Sequence, residues 1–130
     1  MKTNKWLLVL CVLALLSVLL TACGGASGAS KFPTGKFIKD KSMNYGLEFK
    51  ADGTFSVFSG GTTLITGTYT ADGKTFTETG NTGGCVSPME FTYTFDGTNL
   101  TFNYVGNPED DASCGGRKAD FDNQTYVLSK

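Results

Sequence analysis

From Gly35 to Leu128 apolar and polar residues alternate at every second position, in short runs rich in Phe, Tyr, Thr and Val. No segment carries the 3.6-residue period of a helix. A period of two sends successive side chains to opposite faces of a strand, so each run needs one face covered and leaves the other wet. The spacing predicts eight strands, near 35–40, 43–50, 54–59, 62–70, 74–79, 89–95, 98–105 and 121–128. Asp52-Gly53, Asp72-Gly73 and Asp96-Gly97 each fall between two runs, and Asp-Gly supplies the positive φ angles that two-residue hairpins demand. In an up-and-down meander these three turns share one end, and the remaining connections, expected to be the long loops, share the other.

Closure of eight antiparallel strands removes exposed edges and leaves an interior just wide enough for side chains or one small ligand. The predicted fold is therefore all-β, a small up-and-down barrel, with a β-sandwich of the same strands as the alternative. Parity assigns Leu47, Phe49, Phe55, Val57, Ile65, Tyr69, Phe76, Phe91, Tyr93, Phe95, Leu100, Phe102, Tyr104, Tyr126 and Leu128 to the interior. So many rings either fill the lumen or line an apolar cavity. In the second case Phe49, Phe55, Tyr69, Phe91, Tyr93, Phe102, Tyr104 and Tyr126 are the candidate lining.

The segment before the barrel reads differently. Lys2 and Lys5 precede an apolar run from Trp6 to Leu20 broken only by Ser17, and small residues surround Cys23. This is the layout of a secretory signal. Its apolar run of about fifteen residues falls short of the roughly twenty needed to span a bilayer. Leu20-Thr21-Ala22-Cys23 resembles a bacterial lipobox, which implies cleavage after residue 22 and acylation, palmitate included, of Cys23. Two or three chains anchor stably, whereas one alone is marginal. The expected address is the bacterial cell envelope, outside the cytoplasm, with Gly24 resembling the signal for the outer membrane where there are two. Residues 1–22 are then the leader, 23–32 the lipidated cysteine and a Gly/Ser tether, and 33–130 a single domain expected to be monomeric.

Lys2 and Lys5 leave with the leader, so nine of the eleven basic residues stand against twelve acidic ones. Nucleic-acid binding, which needs a clustered basic surface, is not expected. Lys31, Lys36, Lys39 and Lys41 form a basic stretch beside the tether, suited either to anionic head groups or simply to water. Two cysteines remain in the domain, Cys85 and Cys114, in an oxidising compartment, and a disulfide is expected between them. Meander parity puts both at the long-loop end, where they can meet. A metal site is the poorer reading, because the chain has no histidine and neither cysteine has a second ligand at zinc spacing. No cofactor motif is present.

Three short pieces resemble the calycin superfamily, the lipocalin-like small barrels, and in particular short bacterial lipoproteins with such a domain. They are Gly35-Lys36-Phe37 opening the first strand, where lipocalins have Gly-x-Trp, Gly67-Thr68-Tyr69 leading into Asp72-Gly73, and Cys114-Gly115-Gly116-Arg117 before the last strand. The resemblance implies that Arg117 packs across Phe37 to close the barrel. Phe stands in place of the tryptophan, the central lipocalin motif is missing, and no helix pattern follows the last strand.

Catalysis lacks its usual groups: there is no histidine, and no free thiol if Cys85 and Cys114 pair and Cys23 is acylated. Glu78 and Glu90 flank one loop as a conceivable carboxylate pair but read as solvated strand ends. Glu109-Asp110-Asp111, with Asp120 and Asp122, match no calcium loop. An enzyme ranks last. Ahead of it stand a lipid-anchored binding module, with a small apolar ligand in the barrel or an envelope partner at the long-loop rim, and a structural or inhibitory lipoprotein with a filled barrel, like those that block lysozymes or proteases.

Overall fold

The computed structural model describes residues 31–109 and 111–130. The leader, Leu20-Thr21-Ala22-Cys23, the Gly/Ser tether and Asp110 lie outside the described residues. Eight strands follow in order: β1 (Gly35–Asp40), β2 (Tyr45–Phe49), β3 (Thr54–Ser59), β4 (Thr62–Ala71), β5 (Thr75–Asn81), β6 (Met89–Phe95), β7 (Asn99–Tyr104) and β8 (Gln124–Leu128). Each pairs antiparallel with the next, and β8 returns to β1 through Phe37↔Leu128 and Ile38↔Val127, so the sheet closes into a barrel. The sandwich alternative is excluded by that last pairing.

The hairpins hold at the expected places by different chemistry. Asp72-Gly73 and Asp96-Gly97 begin three-residue links, and Asp52-Gly53 ends a four-residue one. Only the glycine of each pair takes a positive φ, at 81°, 100° and 95° for Gly53, Gly73 and Gly97. The aspartates instead fold back on the chain: Asp96 Oδ1 accepts from the backbone N–H of Thr98 and Asn99 at 2.9 and 2.7 Å. Asp72 does the same with Lys74 and Thr75, and Asp52 with Thr54. These are Asx turns, in which a side-chain oxygen satisfies donors that the turn leaves unpaired. The two-residue link with both φ angles positive is Gly60-Gly61, joining β3 to β4. One connection expected among the long loops is thus a tight turn.

Between β7 and β8 the chain forms a 3-10 turn (Ala112–Cys114) that runs into a helix, α1 (Gly115–Phe121). The alternation predicts no helix here and starts the last strand at 121. Two turns beginning Gly-Gly are too short to show a period and too poor in helix formers to stand alone. Arg117 and Phe121, four residues apart, are both buried on the face turned to the barrel, so packing holds this helix where propensity does not.

The interior is a stack of aromatic rings. Of the residues assigned inward, Leu47, Phe49, Phe55, Val57, Tyr69, Phe76, Phe91, Tyr93, Leu100, Phe102 and Tyr126 are buried, while Ile65, Tyr104 and Leu128 are half-buried against them. Phe95 is corrected: it is 37% exposed, because it is the last strand residue before the Asp96 turn and overhangs the barrel end. Phe37 on β1 joins them, fully buried, and three further positions help to complete the filling. Met89 follows the parity of Phe91 and Tyr93, Phe32 precedes β1, and Phe121 comes from α1.

Phe32 enters from the tight-turn end and meets Tyr93, Phe49, Tyr69 and Phe76 at centroid distances of 4.8, 5.0, 5.1 and 5.3 Å. Phe121 enters from the opposite end and meets Phe102, Phe91 and Phe76 at 5.1, 5.2 and 5.4 Å. Phe76 touches both plugs, so the rings run without a break from one mouth to the other.

Candidate functional site

With the lumen occupied, the concave feature beside the chemistry-bearing residues is a cleft of about 280 Å³ at the long-loop end. One wall is apolar: Phe55 and Val57 on β3, Ile65 on β4 and Phe121 on α1. The other comes from the β5–β6 loop and the segment before β8, which the Cys85–Cys114 disulfide ties together across a Cα–Cα distance of 5.8 Å. The expected bridge is present and forms part of this wall.

At the base of the cleft a carboxylate and a guanidinium meet. Glu78 on β5 is 1% exposed and Arg117 on α1 is 5% exposed, with Arg117 Nη1 3.6 Å from Glu78 Oε1. Arg117 spends its best hydrogen bond elsewhere, donating from Nη1 to the Ser87 carbonyl at 2.7 Å. Glu78 Oε1 accepts from Asn81 Nδ2 at 2.5 Å. That leaves Glu78 Oε2 and Arg117 Nε buried with no hydrogen-bond partner among the described residues, in a fold where such groups are ordinarily satisfied. Burial pushes the Glu78 carboxyl above the usual carboxylate range, against the opposing effects of the Asn81 hydrogen bond and the Arg117 charge.

Reading Glu78 as a solvated partner of Glu90 is therefore wrong. Glu90 is exposed, whereas Glu78 is fully enclosed. The signal was in the sequence, since Glu78 is two residues from Phe76 and shares its inward face. Arg117 and Phe37 also take different partners. Phe37 is fully buried against Phe49 and Phe95, towards the tight-turn end, while Arg117 lies at the opposite rim with Glu78 and Ser87.

The acidic residues near α1 are dispersed into separate contacts. Asp120 Oδ1 accepts from Tyr45 Oη at 2.7 Å, and its carbonyl accepts from Tyr126 Oη at 2.6 Å. Asp111 accepts from Tyr104 Oη, and Asp122 Oδ1 from the Tyr104 backbone N–H at 2.9 Å. Burial raises the phenol pKa values of Tyr45 and Tyr126 above the ordinary range, with the nearby Asp120 charge adding to the effect in both. These phenols stay protonated and fasten α1 and the approach to β8 onto the barrel. No group of three or more His, Cys, Asp or Glu gathers at metal-binding distance among the described residues.

Of the candidate lining, Phe49, Tyr69, Phe91, Tyr93, Phe102 and Tyr126 pack in the ring stack, half-buried Tyr104 packs against it, and Phe55 reaches the cleft. No family model, curated protein or solved structure matches this chain.

Proposed function

We propose that the protein is a lipid-anchored binding module of the bacterial cell envelope whose working surface is the disulfide-bridged rim rather than the barrel lumen. The observation that carries this reading is the cleft of about 280 Å³ whose base holds the buried Glu78 and Arg117. A continuous ring stack between Phe32 and Phe121 argues against an apolar ligand inside the barrel. The rim has what the lumen lacks: an open concavity and a wall held in place by a covalent bond.

The lipobox-like Leu20-Thr21-Ala22-Cys23 supports the anchor, and the barrel gives it a direction. Gly35 pairs with Phe49 beside the β2–β3 turn, and the Leu128 N–H donates to Thr98 O in the β6–β7 turn, so the chain enters and leaves at the tight-turn end. A lipid on Cys23 holds that end towards the membrane and turns the rim outward, within the freedom of the tether. The filled lumen equally favours a second reading, an inhibitory or structural lipoprotein whose packed barrel only displays its loops.

Recovery of the protein from its native membrane, with mass spectrometry of whatever accompanies it, tests both readings. The binding module predicts a companion that disappears when Gly116→Phe places a ring at the lining of the cleft, at a position where a Cβ meets nothing within 4 Å. A companion indifferent to that change supports display by the loops. No reproducible companion refutes binding. For the anchor, Cys23→Ser is expected to abolish incorporation of a labelled fatty acid and release the protein from membranes; unchanged labelling rejects the lipobox.

A further inference from the structure

We infer that the Cys85–Cys114 disulfide is a redox latch on the rim: two electrons from a dithiol release α1 and open the long-loop mouth of the barrel while its eight strands stay closed. The switch follows from the fold and stands whatever the cleft binds. Cys85 lies in the β5–β6 loop, and Cys114 ends the 3-10 turn that runs into α1. The strands pair in order and close through β1 and β8 without either residue. Breaking the bond therefore removes no rung of the sheet. It frees two loops.

The segment it frees is weak by itself. α1 has seven residues, begins Gly115-Gly116 and has no side-chain bond at its N-terminus, and a helix so short is not stable without packing. Arg117 does not replace the covalent tie, because the Ser87 carbonyl it bonds at 2.7 Å belongs to the same β5–β6 loop. With that loop loose, Asp120 and Phe121 alone must hold everything between β7 and β8. Asp120 does so through Tyr45 and Tyr126, and Phe121 through Phe102, Phe91 and Phe76, with Phe55 further off at 6.0 Å. Departure of Phe121 uncovers those rings at one mouth only, since Phe32 closes the other from a separate segment.

Both cysteines line the open cleft, Cys85 half-buried and Cys114 6% exposed. Access decides which sulfur a thiolate meets, so attack falls on Cys85. A mixed disulfide forms there as the Cys85–Cys114 bond breaks, and Cys114 leaves as a thiolate that takes up a proton. The reductant's second thiolate then attacks the mixed disulfide, closes its own ring and frees Cys85, which is protonated in turn. Two electrons and two protons have passed from the dithiol to the protein. In an oxidising compartment the bond persists unaided, so opening waits on a dithiol brought to the rim.

The test uses the isotope-labelled full chain in detergent micelles, with dithiothreitol as the dithiol. Reduction is followed by alkylation of Cys85 and Cys114 and peptide mass spectrometry, and unfolding by urea jumps. The reduction rate should rise in proportion to dithiothreitol and exceed the rate of global unfolding by about tenfold or more, because the folded protein itself reacts. In NMR spectra of the reduced protein, the Phe121–Phe102 and Phe121–Phe91 ring contacts should vanish. The Arg117 to Phe121 amides should move to unstructured positions, while contacts between Phe37 and Leu128 and the amides of Tyr69 and Leu128 persist. Cys85→Ser with Cys114→Ser should give the same spectrum without reductant, and reoxidation of the parent should restore the ring contacts.

Ring contacts that survive reduction would overturn the latch. So would loss of the Phe37–Leu128 contacts together with α1, which would make the bond a support of the whole fold. A reduction rate that levels off at the unfolding rate would also overturn it, because a bond reached only through unfolding switches nothing. The rim as a binding surface is judged apart from all three, by the companion recovered from membranes with and without Gly116→Phe.

Discussion

Phe32 offers the sharpest test of the filled barrel, because one ring outside the sheet closes one mouth. It is half-buried and lies within 4.8–5.3 Å of four other rings. Full burial of a phenylalanine contributes about 1.5–3 kcal/mol, so half burial gives roughly 1–1.5 kcal/mol. Aromatic contacts add about 0.5–1.5 kcal/mol per pair, not additively where one ring is shared, which brings the gross effect of Phe32→Ala to about 2–3 kcal/mol. An offset applies because the ring is the main hold on Lys31–Thr34, ahead of β1. Exposed or half-buried, those residues give back only part of the roughly 1–2 kcal/mol per residue of a fully fixed backbone, about 1 kcal/mol in all. The net loss should settle at about 1–2 kcal/mol.

Phe121→Ala provides the contrast. That ring is 1% exposed and sits on a helix that the disulfide, Arg117 and Tyr45 hold down, so the segment cannot undock to relieve the loss. The full cost of about 3–5 kcal/mol applies. Urea and thermal denaturation with the disulfide intact should therefore rank Phe121→Ala well below Phe32→Ala. Phe32→Ala itself should lower Tm by about 5–15 °C. Phe32→Ala should also raise the fluorescence of an anilinonaphthalene dye at the opened tight-turn mouth. A Phe32→Ala protein with unchanged stability and no dye binding would refute the plug. A loss as large as that of Phe121→Ala would refute the undocking argument.

Reduction, or Cys85→Ser with Cys114→Ser, closes no loop across the sequence separation of 29 and should cost about 3–4 kcal/mol on the chain-entropy account, read from urea midpoints with and without reductant. Gly67→Ala should destabilise by about 1–3 kcal/mol by the same measurement, because its Cβ would meet the Phe55 ring and lie 2.7 Å from the Gly80 carbonyl; a neutral result would mean β4 yields there. Stability should carry two pH limbs. Hydrogen bonds led by Thr54 Oγ1, Thr75 N and Asn99 N hold the Asp52, Asp72 and Asp96 carboxyls below their ordinary value of 3.8, so their contribution is present above that value and fades as pH falls through the lowered ones. Glu78 acts oppositely: burial raises it above 4.5, so the fold binds the extra proton and stability declines as pH rises from 4.5 through the raised value. Glu78→Gln should flatten only that upper limb in urea midpoints taken between about pH 4 and 8, and parallel curves for the two proteins would reject the assignment.

Much of the architecture is legible in the chain. Alternation places all eight strands to within a few residues, because a half-buried sheet demands a period of two from every strand. Three Asp-Gly pairs and meander parity then send Cys85 and Cys114 to one end, where they are bonded. The misses share a cause. Phe32 precedes the first run, and Phe121 opens the predicted last strand, 121–128, on the opposite parity to Tyr126 and Leu128, so periodicity marks neither as interior. Glu78 was legible through its two-residue offset from Phe76, but its charge argued for solvent, and only a buried partner makes an enclosed carboxylate tolerable. That partner, Arg117, is 39 positions away on a helix too short to announce itself.

By itself the sequence determined what repeats locally: strand spacing, facing and turn positions, each set by neighbours a few residues apart. The tertiary structure decided whether the barrel is hollow and where its chemistry lies. Both depend on segments outside the sheet reaching into its two mouths, Phe32 at one and the disulfide-held helix with Phe121 and Arg117 at the other. Such contacts are selected by the space left after the barrel closes, and closure joins β1 to β8 across nearly the whole domain.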